Sequence, residues 1–154
     1  MKIYIDQSNK IEQTNKHTVL ALANDKKYSI LIPAKIKRQF QELFRHNGEP
    51  RAFIYITFAA AIVILTKECS GKLSQIVIDQ EYYGKEKQLK ETIEKMMSKF
   101  FNKIPNINFE KIGKSSNAHK QTYSVTKRKI KADKIVSFNE LNEIIRCKSK
   151  TPNA

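Results

Sequence analysis

Apolar and polar residues alternate over the first third of the chain, in a pattern typical of β-strands. The alternation predicts one strand over residues 2–12 and two more over 18–23 and 28–32. The polar pair Asn24-Asp25 separates the last two runs, as a turn does in a β-hairpin. The opening third therefore predicts a three-stranded meander.

Helical spacing replaces this alternation after Pro33. Apolar residues then recur every three or four positions with Lys and Arg on the other faces, which predicts a basic amphipathic helix over 35–46 that closes near Asn47-Gly48. The next segment, 52–65, is almost wholly apolar but shorter than the roughly 20 residues that span a bilayer. It predicts a helix buried on most sides, or a helix joined to a strand, and no membrane span.

Strands and helices alternate along the rest of the chain. The β-branched run 76–78 predicts a buried parallel strand, and apolar residues at helical spacing predict a helix between Gly84 and Pro105. A further strand is predicted over 107–112, and a capping box at 137–140 predicts a last short helix.

These elements predict a single α/β domain with a mixed sheet over residues 1–146. The tail over 147–154 is polar, and we expect it to be disordered. Cys69 and Cys147 show no metal-binding spacing, and the first residues lack the pattern of a secretory signal. Reduced thiols and a cytoplasmic location are therefore expected.

The net charge of the chain indicates which class of partner the protein binds. The formal net charge is +14, from 29 Lys and Arg against 15 Asp and Glu, and such an excess indicates a polyanion, above all RNA or DNA. A Lys-, Ile- and Asn-rich composition without a binding role is the alternative.

Half of this net charge lies between residues 111 and 134, where the sequence has eight basic residues and a single acidic residue, Asp133. The basic residues are Lys111, Lys114, Lys120, Lys127, Arg128, Lys129, Lys131 and Lys134. The concentration predicts a surface that binds nucleic-acid phosphates, although a solvated charged face shows the same pattern. Tyr123 lies among these charges and Tyr82 and Tyr83 follow the strand at 76–78, so base stacking is available as well.

The loop that precedes the predicted phosphate surface contains Gly113, Lys114, Ser115 and Ser116. A nucleotide-binding P-loop needs a further Gly five positions earlier, where this chain has Asn108, so a nucleoside triphosphatase is not predicted. A helix that begins at Ser116-Asn117 would still offer free backbone N–H groups to a phosphate.

His119 would lie in the first turn of that helix, where it could contact the phosphate or a leaving group. A lone His without a catalytic role remains the alternative at this position.

A short motif occurs twice: Ile3-Tyr-Ile-Asp6-Gln and Ile76-Val-Ile-Asp79-Gln. Each places a carboxylate at the carboxyl end of a predicted strand, where ligands collect in open α/β sheets. We expect the two strands to be adjacent and parallel, which would bring Asp6 and Asp79 together. Two carboxylates so close would bind Mg²⁺ or Mn²⁺. The alternative is that each Asp only ends its strand.

The order of elements, together with these two motifs and the apolar run that precedes the second one, resembles the ribonuclease H-like fold over residues 1–132. That resemblance implies two metal ions held by acidic residues, with Asp6 and Asp79 at two of the ligand positions. The family's third ligand is a Glu on the first helix, which the apolar segment lacks. Glu81 is then the local substitute for the third ligand, and Glu42 a weaker one.

The resemblance also suggests roles late in the chain and an activity. The family often places a mobile His and an acid near its last helix, and His119 fits the first role better than Asp133 fits the second. Catalysis by Asp6, Asp79, Glu81 and His119 would make the protein a metal-dependent nuclease. A non-catalytic RNA- or DNA-binding module and an adaptor for an acidic protein remain the alternatives.

Overall fold

The secondary structure follows the order in which the polarity pattern changes along the chain. The computed structural model describes residues 1–24, 27–69, 72–113 and 116–146. Within these ranges the strands are β1 (Lys2–Ser8), β2 (Thr18–Ala23), β3 (Lys27–Ile32), β4 (Gln75–Asp79), β5 (Asn106–Glu110) and β6 (Lys134–Ile135). The α-helices are α1 (Ala34–His46), α2 (Ala52–Thr66), α3 (Glu86–Met97), α4 (Asn117–Thr126) and α5 (Phe138–Arg146), and a short 3-10 turn follows α2.

The six strands form one mixed sheet in the order β5-β4-β1-β2-β3-β6. Strands β1, β2 and β3 form the predicted antiparallel meander, whereas β4 is parallel to β1 and to β5. Ile3 pairs with Ile76 and Ile5 pairs with Ile78. The expectation that these two strands are adjacent and parallel is therefore confirmed, and so is the α/β class with a mixed sheet.

The apolar segment forms α2, the central helix of the core. Its side chains are hydrophobic all round, and it packs against β2 of the sheet and against α1, α3 and α5. Within the described residues, Ala52–Cys69 is the one stretch long and apolar enough to cross a membrane, but 61% of it is buried inside the fold. This burial is what a helix in the core of a soluble protein shows.

The opposite face of the sheet is covered by α4, which contacts β1, β2 and β3. Side chains alternate along a strand, so Ile5 faces the α2 core while Asp6 faces α4. Ala21 is paired with Asp6 and is fully buried, and its small side chain leaves room for the helix. The meander therefore places one carboxylate beneath α4.

Two strand ends differ from the predicted ones by two residues or more, and one short strand is additional. The first strand ends at Ser8 instead of residue 12, because Asn9 adopts φ 63° and turns the chain into a loop. The strand predicted over 107–112 ends at Glu110, and the two-residue β6, parallel to β3, was not predicted. The tail at 147–154 lies outside the described residues.

Lys37 is buried, although the sequence pattern placed it with the other basic residues on the faces of α1 away from its apolar positions. Its side chain is fully buried, and its Nζ donates to Gln13 O at 2.7 Å, to Thr18 Oγ1 at 2.8 Å and to Lys10 O at 3.4 Å. Burial lowers the pKa of Lys37 to about 8. The ammonium group thus ties the loop that follows β1 to the start of β2.

Replacement of Lys37 by Met should lower the free energy of unfolding by about 3 kcal/mol, because three acceptors lose a charged donor. Urea denaturation at pH 7 measures this loss. The matched control is Lys35→Met, since Lys35 is exposed on the same helix and its replacement should change stability by less than about 0.5 kcal/mol. Equal losses in the two variants would show that the hydrogen bonds of Lys37 contribute nothing.

Candidate metal centre

The register of β1 against β4 brings three carboxylates together. Ile5 lies opposite Ile78, so Asp6 and Asp79 leave neighbouring parallel strands at the same edge of the sheet. Glu81 follows two residues later, and one oxygen from each of the three carboxylates lies within 4.8 Å of the others. The expected proximity of Asp6 and Asp79 is confirmed, and the cluster could hold a divalent cation through oxygen ligands.

Burial and the proximity of these carboxylates to one another raise the pKa of two of them, Asp6 and Glu81. Burial, followed by the neighbouring Asp79 carboxylate, raises the pKa of Asp6 above its ordinary value, against an opposing contribution from His119. Burial, followed by the hydrogen bond and charge of Asp79, raises the pKa of Glu81 to about 7. A bound cation would remove this repulsion, since an opposite charge favours the ionised carboxylates.

Neighbouring groups orient the two aspartates. Asp6 Oδ2 lies 3.0 Å from His119 Nδ1 and accepts a hydrogen bond from Thr122 Oγ1 at 3.2 Å. Asp79 Oδ1 accepts a hydrogen bond from the Ile112 backbone N–H at 2.7 Å. Sequence reasoning had missed Thr122. Its place in the buried stripe of α4, as a polar residue between Ala118 and Val125, was the available signal.

The start of α4 positions His119. The Ser116 side chain caps the helix by accepting a hydrogen bond from the His119 backbone N–H at 3.0 Å, and so the predicted helix start is confirmed. A cavity of about 520 Å³ lies beside this end of the helix, with Lys111 and Asn117 in its lining. Lys114 and Ser115, which were predicted to bind phosphate here, lie outside the described residues.

Lys10 approaches the third carboxylate from the loop after β1. Its Nζ lies 3.9 Å from Glu81 Oε2 and donates to the Glu81 backbone oxygen at 3.2 Å. Nothing in the sequence indicated this contact, because the loop folds back across 71 positions of chain. Lys10 therefore partly neutralises the acidic cluster.

Tyr82 does not have the exposed ring that base stacking requires. It is buried, and its hydroxyl group is hydrogen-bonded to Gln7, Glu12 and the Ile11 backbone N–H. This network joins the end of β4 to the loop after β1. Tyr83 is 67% exposed, so its ring remains available.

Two other acidic residues considered from the sequence lie away from the cluster. Glu42 is exposed on α1, where it lies 3.9 Å from Arg45. Asp133 accepts a hydrogen bond from the Ser29 backbone N–H at 2.8 Å and so connects the segment before β6 to β3. Glu81 is left as the third carboxylate beside Asp6 and Asp79 in the described part of the chain.

Known proteins supply no functional assignment for these residues. Neither a family model, nor a curated protein, nor a solved structure matches this chain. The roles of the carboxylates and of His119 must therefore be inferred from their own geometry.

The predicted phosphate-binding residues begin at this centre. Lys111 precedes the residue that holds Asp79, and Lys120 follows the residue that contacts Asp6. The exposed basic residues, which we call the basic surface, are Lys111, Lys120, Lys127, Arg128, Lys129 and Lys131. Lys134 is not among them, because its ammonium group is paired with Glu140. Lys111 and Lys120 are therefore the two members of the basic surface that adjoin the contacts of the acidic cluster in sequence.

Proposed function

We propose that the protein is a metal-dependent nuclease of the ribonuclease H-like type, which hydrolyses phosphodiester bonds in RNA or DNA. The observation that carries the proposal is the approach of Asp6, Asp79 and Glu81 to within 4.8 Å at the carboxyl ends of two adjacent parallel strands. Oxygen ligands in this number suit Mg²⁺ or Mn²⁺. The sheet order and the antiparallel meander support the fold assignment.

Each group of the centre has a distinct part in this chemistry. Metal bound by the three carboxylates would activate water and stabilise the leaving oxygen. The contact between His119 Nδ1 and Asp6 fixes the imidazole ring at the edge of the cluster. Its second ring nitrogen would then be the group that transfers a proton to or from the substrate. Thr122 and the Ile112 N–H keep the aspartates in place.

The basic surface would bind the substrate through its phosphates. Contacts of this kind position nucleic acid without reading its sequence, and the sequence shows no zinc-finger, KH or RNP-type motif. The proposal includes a cytoplasmic location, in keeping with the burial of α2 and the free thiol of Cys69.

Metal titration tests the proposal most directly. Mg²⁺ or Mn²⁺ at a hundred times its Kd should raise the melting temperature by about 5–10 °C, because binding to the folded state alone contributes about 2.7 kcal/mol. The same samples should cleave at least one of single-stranded, double-stranded or hybrid substrates, and EDTA should stop the cleavage. Absence of both stabilisation and cleavage would exclude a metal-dependent nuclease.

A non-catalytic nucleic-acid-binding module is the second candidate. The observation in its favour is that two of the carboxylates already have cationic or hydrogen-bonding neighbours: Lys10 at Glu81, and His119 and Thr122 at Asp6. Such pairs can stabilise a fold without metal. In that case the metal titration would show no effect, while binding to nucleic acid would persist.

A further inference from the structure

Tyr123 lies on α4 four residues after His119, on the same side of the helix. The separation along the helix axis is about 6 Å, which corresponds to between one and two steps of a nucleic-acid strand at about 3.4 Å per nucleotide. Its ring is 48% exposed. Packing of α4 against the sheet uses other positions, namely Ala118, Thr122 and Val125, so the fold does not depend on the Tyr123 ring.

Two ammonium groups lie over this ring. Lys127 Nζ lies 5.8 Å and Lys129 Nζ lies 5.4 Å from the ring centroid. The helix end places them there, because Arg128 adopts φ 61° and the Lys129 N–H donates to Ser124 O at 2.9 Å. The chain therefore turns back at Arg128 and brings both lysines to one aromatic side chain.

We propose that Tyr123 is a stacking platform for an unpaired base, and that Lys127 and Lys129 bind the phosphates on either side of that base. An exposed aromatic ring among cations suits single-stranded nucleic acid, in which the face of a base is free. The base faces of a duplex are already stacked on one another. This inference rests on the proposed function and names its substrate class: a single strand that continues from the platform towards His119 and the acidic cluster.

Binding of fluorescently labelled oligonucleotides of about twelve nucleotides tests the platform, a length that suits known single-strand sites. Tyr123→Leu should weaken binding of single-stranded RNA or DNA by about 5- to 150-fold, the range expected for the loss of one stacked base. Tyr123→Phe, which keeps the ring, should bind like the parent. Duplexes of the same sequence should bind the parent and Tyr123→Leu equally well.

An oligonucleotide with abasic positions provides the control on the ligand side. The parent should bind this oligonucleotide more weakly than the normal one. Tyr123→Leu should bind the two almost equally, because it has no ring on which a base could stack. Equal binding of normal single strands by the parent and Tyr123→Leu would overturn the platform, as would a loss with Tyr83→Leu in place of Tyr123→Leu. If the parent bound no nucleic acid at all, the proposed function itself would fail.

Discussion

The variant Asp6→Asn combined with Asp79→Asn should gain no thermal stability from Mg²⁺ or Mn²⁺ and should show no metal-dependent cleavage. Two of the three clustered carboxylates would then be neutral amides, which lack the negative charge that attracts a divalent cation. Thermal melts with and without metal, together with cleavage assays on the same samples, measure the effect. Retention of either metal response would remove these residues from the centre.

The double variant should still fold. Each Asn side chain keeps an oxygen that can accept the hydrogen bonds from Thr122 and from the Ile112 backbone N–H. Without metal it should be at least as stable as the parent at pH 8, because the repulsion between the carboxylates is gone. The matched control replaces Glu42 and Glu91 with Gln, which removes two exposed acids outside the cluster and should leave the metal response intact.

The stability of the protein and its stabilisation by metal should also depend on pH. Because the pKa of Glu81 is raised from 4.5 to about 7 in the folded protein, the folded state binds more protons than the unfolded state between these values. Stability without metal should therefore fall as the pH rises from about 4.5 to 7. Stabilisation by metal should grow over this interval as the ligands ionise, and Glu81→Gln should flatten both profiles.

Replacement of Lys127, Arg128 and Lys129 by Ala should weaken binding to all nucleic-acid sequences alike. Each lost phosphate contact removes about 0.9 from the slope of log K against log salt on duplex DNA, so the slope should flatten by roughly two to three units. Specificity should barely change, because phosphate contacts carry no sequence information. Binding measured across a salt series gives both quantities.

The control for this variant removes equal charge from three other exposed positions. Lys67 and Lys72 lie in the connection into β4 and Lys103 in the connection into β5, and all three are exposed. Their replacement by Ala should leave the salt slope close to that of the parent. Equal slopes in the parent and the Lys127, Arg128 and Lys129 variant would mean that the charge there is only solvated.

The fold could be predicted largely because its elements are encoded locally. Alternation with period two predicted the meander, and helical spacing or a capping residue predicted α1, α3, α4 and α5. The two-residue β6 escaped prediction because its pairing with β3 comes from tertiary packing and not from its own pattern. The burial of Lys37 escaped prediction for a similar reason, since its acceptors lie in a loop distant in sequence.

Some features of the candidate site could likewise be predicted from the sequence, whereas others depend on tertiary packing. The repeated Ile-x-Ile-Asp-Gln motif by itself placed Asp6 and Asp79 near the carboxyl ends of two strands, and local charge density indicated the basic surface. Only the tertiary structure decided that Glu81 completes the cluster, that Lys10 contacts it and that Tyr82 is buried. A sequence pattern records which way a side chain points along its own strand or helix. The neighbours that a loop brings to that side chain depend on how the whole chain packs.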